Sequence, residues 1–252
     1  MSNKNDIIIE GKNITVSYGG RTIIKDVSFD VRRGEIFTVV GGSGSGKSTL
    51  LRQLIGLEYP ESGEVYIDGE DFLNASEKER RQILRKFGVL FQLSGLLASM
   101  TIAENIALPL QTYTGMSVSR IAEIIKLKLG LVGLDGYQGY MPSELSGGMK
   151  KRAALARAMA LDPDILFFDE PSSGLDPLTS ASLDNLIREV NAGMGTTMFI
   201  VTHDLASVLD IGHRVIMLDK STKGIIAKGD PKELQKDKSN EHVYNFFNRV
   251  AE

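Results

Sequence analysis

Residues 36–49 read Ile-Phe-Thr-Val-Val-Gly-Gly-Ser-Gly-Ser-Gly-Lys-Ser-Thr. An apolar run leads into a stretch that fits G-x-x-x-x-G-K-[ST], and a helix-compatible segment, 50–55, leads out of it. Strand, glycine loop and helix in that order constrain this chain more than any other feature. Gly41, Gly42, Gly44 and Gly46, with Ser43 and Ser45 between them, let successive backbone N–H groups turn inward around a phosphate with no Cβ in the way. The following helix offers its N-terminal donors and its dipole to the same anion. Lys47 supplies a point charge for the β and γ phosphates. The Ser48 hydroxyl is a ligand for the Mg²⁺ that accompanies them, and Thr49 completes the loop. The competing reading is a Gly/Ser-rich turn that matches by chance. The strand before and the helix after argue against it.

The rest of the composition narrows the setting. The chain has 252 residues, which allows one large domain or two small ones and is enough for a substantial core. Its net charge of −3 gives no basic footprint for nucleic acid. There is no cysteine, so disulfides, thiolate nucleophiles and Cys-ligated zinc are excluded, and the chain fits a reducing compartment. No apolar run reaches the roughly 18 residues of a membrane span. Residues 1–6 are polar and of mixed charge, without a signal-peptide core. The expectation is a cytoplasmic protein; if it works at a membrane, a partner does the spanning.

Along the chain, residues 7–9, 14–16 and 27–31 read as short strands, and 64–67 as another. Residues 77–86 are charged and helix-compatible, and 89–91 form a short apolar strand ending at Gln92. Residues 94–115 are less regular. Residues 118–129 carry apolar side chains at helical spacing. Residues 150–161 are rich in helix formers. Residues 165–168 and 198–201 read as buried strands, with a helix at 183–190 between them. Residues 215–218 and 224–227 look like a terminal hairpin, and 241–250 a short helix carrying Tyr244, Phe246 and Phe247. Strands alternating with helices mean an α/β protein with a parallel core sheet beside a mainly antiparallel N-terminal β layer.

Several strand ends carry chemistry. Asp169-Glu170 closes an apolar strand, where ligands of α/β sheets bind. Asp169 is the natural outer partner of Mg²⁺, and Glu170 could orient and deprotonate an attacking water. A solvated strand end is the bland alternative; the phosphate loop in the same chain favours function. His203 and Gln92 end two other strands. Together with Glu170 they would reach one edge of the sheet, Gln92 binding Mg²⁺ or water through its amide oxygen and His203 contacting the γ-phosphate. Ser146-Gly147-Gly148 before a helix makes a second glycine nest for an anion, or only a helix start with a serine cap. Lys150, Lys151 and Arg152 add positive charge just past it, or form a solvated face. Tyr18 offers a ring that could stack on an adenine, or a core tyrosine.

Taken together these residues resemble the nucleotide-binding subunit of ATP-binding cassette (ABC) transporters along nearly the full chain. Tyr18 matches the adenine-stacking position, 41–48 the Walker A loop, and Gln92 the Q-loop. Residues 145–149 match the signature, 165–170 Walker B, 174–176 the D-loop, and His203 the switch histidine. One departure is informative: the signature usually ends in Gln, and Met149 stands there. Any role needing that amide is open, while the backbone N–H groups and Ser146 remain available. Residues 141–152 and 91–110 are similar to the ATPases paired with MCE-domain lipid transporters, the MlaF and Mkl group.

The resemblance implies one P-loop NTPase domain over 1–252. It would comprise a RecA-like core sheet, an antiparallel β subdomain, a helical subdomain at about 94–160 and a C-terminal extension at about 229–252. It implies ATP and Mg²⁺, and a head-to-tail homodimer in which Ser146, Gly147 and Gly148 of one copy face Walker A of the other. It also implies an MlaE-like permease, an MlaD-like MCE protein and an MlaB-like STAS protein. The chain would then lie on the cytoplasmic face of the inner membrane of a Gram-negative-type envelope and drive phospholipid transport. An importer or exporter of amino acids, metals or drugs is the first alternative, and a soluble ABC switch the second. The extension would clasp the partner subunit or pack on its own domain.

Overall fold

The computed structural model describes residues 6–250. Residues 1–5, most of the polar N-terminal stretch, and the last two positions of the C-terminal extension lie outside the described residues. β1 (Ile7–Tyr18) and β2 (Arg21–Arg32) form a long antiparallel hairpin. Gly19 and Gly20 close it with φ of 55° and 77°, the signs a two-residue turn between right-twisted strands requires. The sequence predicts two short strands where β1 runs unbroken. The interruption is a bulge: pairing shifts between Gly11 and Ile14, and Asn13 takes a φ of 50° with its N–H donating to Ser28 Oγ at 2.8 Å.

The remaining elements follow in order: β3 (Ile36–Val40), α1 (Lys47–Leu54), β4 (Ser62–Ile67), β5 (Glu70–Asp71), α2 (Glu77–Leu84), β6 (Phe87–Leu90), α3 (Ile102–Tyr113), α4 (Val118–Leu131) and α5 (Gly147–Ala158). Then come β7 (Ile165–Asp169), α6 (Pro177–Met194), β8 (Thr197–Val201), α7 (Leu205–Ile211), β9 (Arg214–Leu218), β10 (Ile225–Gly229), α8 (Pro231–Lys236) and α9 (Glu241–Asn248). One sheet is antiparallel, in the order β2-β1-β4-β5. The other runs β10-β9-β3-β8-β7-β6, parallel from β9 to β6 with β10 antiparallel at its edge. This is the two-sheet α/β architecture the strand pattern predicts.

Alternation along the core strands assigns each side chain to a layer. Phe37, Val39, Ile165, Phe167, Phe199 and Val201 face the antiparallel sheet and α1. Ile36, Leu166, Phe168, Met198 and Ile200 face the helical side, with apolar residues of α3, α4, α5 and α6. Phe29, Phe37, Phe199, Phe167, Phe87 and Phe72 form a row between the sheets, with neighbouring centroids 5.2–6.1 Å apart. The row fixes how the two sheets stack, and so where the strand ends point. The C-terminal ends of β3, β8, β7 and β6 all open at one edge.

Three helices depart from the sequence expectation. α3 occupies the stretch that reads as irregular. Thr101 Oγ1 accepts from the Glu104 N–H at 3.2 Å, and Glu104 Oε2 accepts from the Thr101 N–H at 2.7 Å, a reciprocal cap. Ile102, Ile106 and Leu110 then bury at four-residue spacing, and Pro109 inside the helix does not stop it. α6 begins at Pro177, well before 183, because Asp176 accepts from the N–H groups of Leu178 and Thr179. α5 begins at Gly147, so the second glycine nest is the first turn of the helix itself.

Candidate active site

The phosphate loop wraps from the end of β3 into α1. Gly41 has a φ of 145°, and a Cβ there would sit 2.2 Å from the Leu218 carbonyl oxygen. Gly46, at φ 99°, would drive a Cβ to 2.4 Å from Ile24 Cγ2. Only glycine fits both places. Lys47 Nζ donates to the carbonyls of Gly41 at 2.8 Å and Gly42 at 3.2 Å, so the ammonium is folded over the loop it serves. Burial lowers its pKa, opposed by the charges of Glu170 and Asp169.

Ser48 Oγ donates to Asp169 Oδ1 at 3.0 Å. This brings a hydroxyl of α1 and a carboxylate of β7 to one point, the donor set a hard divalent cation takes. Burial raises the Asp169 pKa and the Glu170 charge adds to it, against the Ser48 hydrogen bond. Among the described residues no cluster of three His, Cys, Asp or Glu could hold a metal alone. The Ser48–Asp169 pair suits a cation that takes its other ligands from phosphate and water, and Gln92, the third ligand expected from the sequence, lines the same cleft without contacting the pair.

Glu170 is the strained residue of the site. It is buried and sits at φ 50°, a left-handed conformation costing a non-glycine residue about 1–3 kcal/mol. The backbone reverses there, and its N–H donates to the Val201 carbonyl at 2.8 Å. The reversal brings the carboxylate to His203: Oε2 lies 2.8 Å from Nδ1 and accepts from the His203 N–H at 3.2 Å. The His203 side chain is 68% exposed and that of Glu170 12%, so the pair runs from solvent into the site. Gln92 Nε2 donates to Ser173 Oγ at 3.3 Å.

One cleft of about 550 Å³ collects most of these groups. It is lined by Gly41, Gly42, Ser43, Gly44, Ser45, Gly46, Lys47, Ser48, Thr49, Gln92, Glu170 and His203, with Phe246. Asp169 stands behind Ser48. Tyr18 is not among the lining residues; its phenol donates to Glu58 and lies beside Thr49. Burial and the Glu58 carboxylate raise the phenol pKa. Ser146, Gly147 and Gly148 are also outside the cleft. Ser146 Oγ caps α5 from the Met149 N–H at 3.3 Å, and Ser146 and Gly147 are exposed.

Two residues of the site escaped the sequence reading. Phe246 reaches the cleft from α9, far along the chain, and no local pattern signals that. Lys151 is not on a solvated face: it is 5% exposed, and Nζ donates to the carbonyls of Gln92 at 2.6 Å and Glu170 at 3.3 Å. Arg152 likewise turns inward, donating to the Val132 carbonyl and Ser182 Oγ. The signal was helical spacing: 151, 154 and 155 share one face, and all three are buried.

α7, which follows His203, is fastened to α6 by a second buried carboxylate. Ser207 Oγ donates to Asp184 Oδ2 at 2.7 Å, with Asp204, Asp210 and Arg188 the nearby charges. Burial is the main cause that raises the Asp184 pKa to about 6. A folded-state pKa above the unfolded value means stability that is full below about pH 4 and lost as pH rises through about 6. Asp184→Asn keeps an acceptor for Ser207. It is expected to unfold at higher urea than the parent at pH 8, by about 3 kcal/mol at most, with the gap closing towards pH 4.

A glycine loop around a lysine, a hydroxyl–carboxylate pair and a strained glutamate on a histidine define a P-loop nucleotide-binding site. The family described as "ABC transporter" matches residues 24–173, and the chain belongs to it. The chain is 38% identical over 246 residues to the intermembrane phospholipid transport system ATP-binding protein MlaF of Escherichia coli, covering 97% of this chain and 90% of that one. It is 47% identical over 199 residues to the "Probable ribonucleotide transport ATP-binding protein mkl" of Mycobacterium leprae. That match covers 79% of this chain and 57% of the relative, so the chain spans little more than half the relative's length. Among solved structures, a dimeric ATP-binding cassette in a post-hydrolysis state bound to ADP and Pi superposes with a TM-score of 0.80 at 32% identity. The superposition covers 88% of this chain and 98% of that one.

Proposed function

We propose that this chain is the ATP-hydrolysing subunit of a transporter that moves phospholipid, acting as a homodimer on the cytoplasmic face of a membrane. The observation that carries the reading is the separation of the two glycine nests. The loop at 41–49 lies in the cleft with Glu170 and His203, while Ser146, Gly147 and Gly148 lie outside it on an exposed helix start. Both are built for phosphate, and a second copy set head to tail would bring them to one nucleotide. The dimeric cassette to which this chain is similar supports that arrangement.

Within such a site the residues have separate tasks. The loop N–H groups and Lys47 bind the phosphates and offset charge that develops on the γ-phosphoryl group. Magnesium, held by Ser48, Asp169 and Gln92, would supply further neutralisation of the phosphate oxygens. Glu170 orients a water in line with the γ-phosphorus and takes its proton, and His203 holds the carboxylate and faces the γ-phosphate. Ser146, Gly147 and Gly148 of the second copy close the cage. Tyr18, at the rim beside Thr49, would stack on the adenine. Differential affinity for closed and open dimers turns binding into motion.

The phospholipid cargo is supported by the name of the MlaF relative, which this chain matches over nearly its whole length, and the partners proposed with it come from the resemblance in the sequence. They are an MlaE-like permease seated against the helical subdomain near 94–160 and the Gln92 loop, an MlaD-like MCE protein, and an MlaB-like STAS protein. Among the described residues no helix is long and apolar enough to cross a membrane, which leaves spanning to the permease. In the C-terminal extension, α9 buries Val243 and Phe247 against Leu205 and Val208 of its own chain. The test is to purify the chain from native membranes and identify what accompanies it. A permease, an MCE-domain protein and phospholipid are expected. A solute-binding partner, or specific stimulation of ATP turnover by a ribonucleotide, amino acid, metal or drug, overturns the lipid assignment.

A further inference from the structure

We infer that Lys151 is a positioning residue for hydrolysis, holding the main chain at Gln92 and Glu170 and tying the helix of the second glycine nest to the end of the cleft where water is activated. The inference rests on Glu170 acting as the base. β6 and β7 pair in parallel as far as Leu90 and Phe168, and beyond that the ladder stops. The two chains then part to deliver Gln92 and Glu170 to the cleft. Lys151 Nζ sits in the fork and donates to a carbonyl on each side, at 2.6 Å and 3.3 Å.

The placement matters because Glu170 cannot hold its conformation by itself. Its φ of 50° is one a non-glycine residue avoids, and it persists only where several contacts fix it. Its N–H is held by Val201 and its carboxylate by His203. Its carbonyl receives the Ser173 N–H at 3.2 Å and the Lys151 ammonium. Lys151 reaches across to the main chain of Gln92 as well, where Ser173 meets only the Gln92 side chain. Asp169 and Glu170 add charge attraction that opposes the lowering of its pKa by burial.

Lys151 also lies little more than one turn beyond Ser146, Gly147 and Gly148, on the buried side of the same helix. Any shift of that helix start reaches the carbonyl of Glu170 through a single side chain. In the head-to-tail dimer, a chain's grip on its partner's phosphate and the aim of its own base would then be mechanically joined.

The chain has no cysteine, which allows a chemical rescue. In the full-length chain, Lys151→Met keeps a straight apolar stem and removes the donors. Its kcat for ATP is expected to fall about 10–100-fold with ATP affinity within about threefold of the parent. Lys151→Cys should fall likewise. Alkylated in urea with 2-bromoethylamine and refolded, it regains an ammonium on a side chain of lysine length and should recover most of the lost kcat. The inference is overturned if Lys151→Met turns over within about twofold of the parent, if affinity falls as far as kcat, or if aminoethylation restores nothing. Should Lys151→Met not fold, the Cys pair decides alone. Glu170→Gln measured alongside separates the readings. Turnover kept in Glu170→Gln overturns both; turnover lost there but kept in Lys151→Met overturns this one alone.

Discussion

Lys47→Ala is expected to abolish ATP turnover, with kcat/KM down at least ~10³-fold, while the fold survives. Among the described residues lining the cleft, Lys47 is the one lysine or arginine. Of the other cations nearby, Lys151 is held beneath the strand ends and Arg52 by Glu58, while Lys220 runs past the loop at Gly44 without lining the cleft. The loop N–H groups would still cradle a phosphate, so weak nucleotide binding should remain. The charge that must be offset as the γ-phosphoryl group leaves would lose the one lysine that lines the cleft. The fold should not suffer, because the Nζ contacts are two loop carbonyls, Gly41 and Gly42, which solvent can serve once the side chain is gone. Phosphate release measures the first claim and thermal unfolding the second. A variant that turns over within about tenfold of the parent would remove Lys47 from the chemistry.

How far the site was legible depends on whether a residue's role is written into its own neighbours. The phosphate loop was, because Gly41 and Gly46 meet Leu218 and Ile24 at distances no side chain tolerates, so local sequence had to be glycine. The strand-end residues Gln92, Asp169, Glu170 and His203 were legible through the apolar runs before them, since a parallel sheet gathers its C-terminal ends at one edge. Lys151 was not, because a buried lysine reads like a surface one until its partners are known. Those partners are backbone carbonyls, which have no sequence signature. Phe246 was hidden for a different reason. Its place in the cleft depends on how α9 packs over α7 and β9, a long-range matter.

The fold shows the same division. Periodicity found the core strands and missed α3, although Thr101 and Glu104 spell its start, because Pro109 breaks the pattern that periodicity counts. It split β1 at 10–13, where the bulge at Asn13 lets a strand turn a corner without ending. In both places the decisive term is tertiary: Ile102, Ile106 and Leu110 bury against the helical layer, and Ile9 and Ile14 against the intersheet core.

Glu170→Gln should do the opposite of Lys47→Ala, leaving ATP binding intact and stopping the cycle after it. The substitution keeps the volume and an amide oxygen to accept the His203 N–H, now 3.2 Å from Oε2. The same oxygen, standing in the place of Oε2, also accepts from His203 Nδ1–H, now 2.8 Å away, when that nitrogen carries the ring proton, so the strained turn at Glu170 keeps both its anchors. What disappears is the proton acceptor. Losing a general base costs about 10²–10⁴-fold in kcat. If hydrolysis is what releases two head-to-tail copies, ATP should then hold them together, and the variant should elute as a dimer with ATP and as a monomer without it. Size-exclusion chromatography with and without nucleotide reads this directly, and single-turnover phosphate release reads the chemistry. A Glu170→Gln chain that stays monomeric at saturating ATP and still hydrolyses it would transfer the base to another residue. His203, 68% exposed and already at hydrogen-bond distance, is the one to examine next.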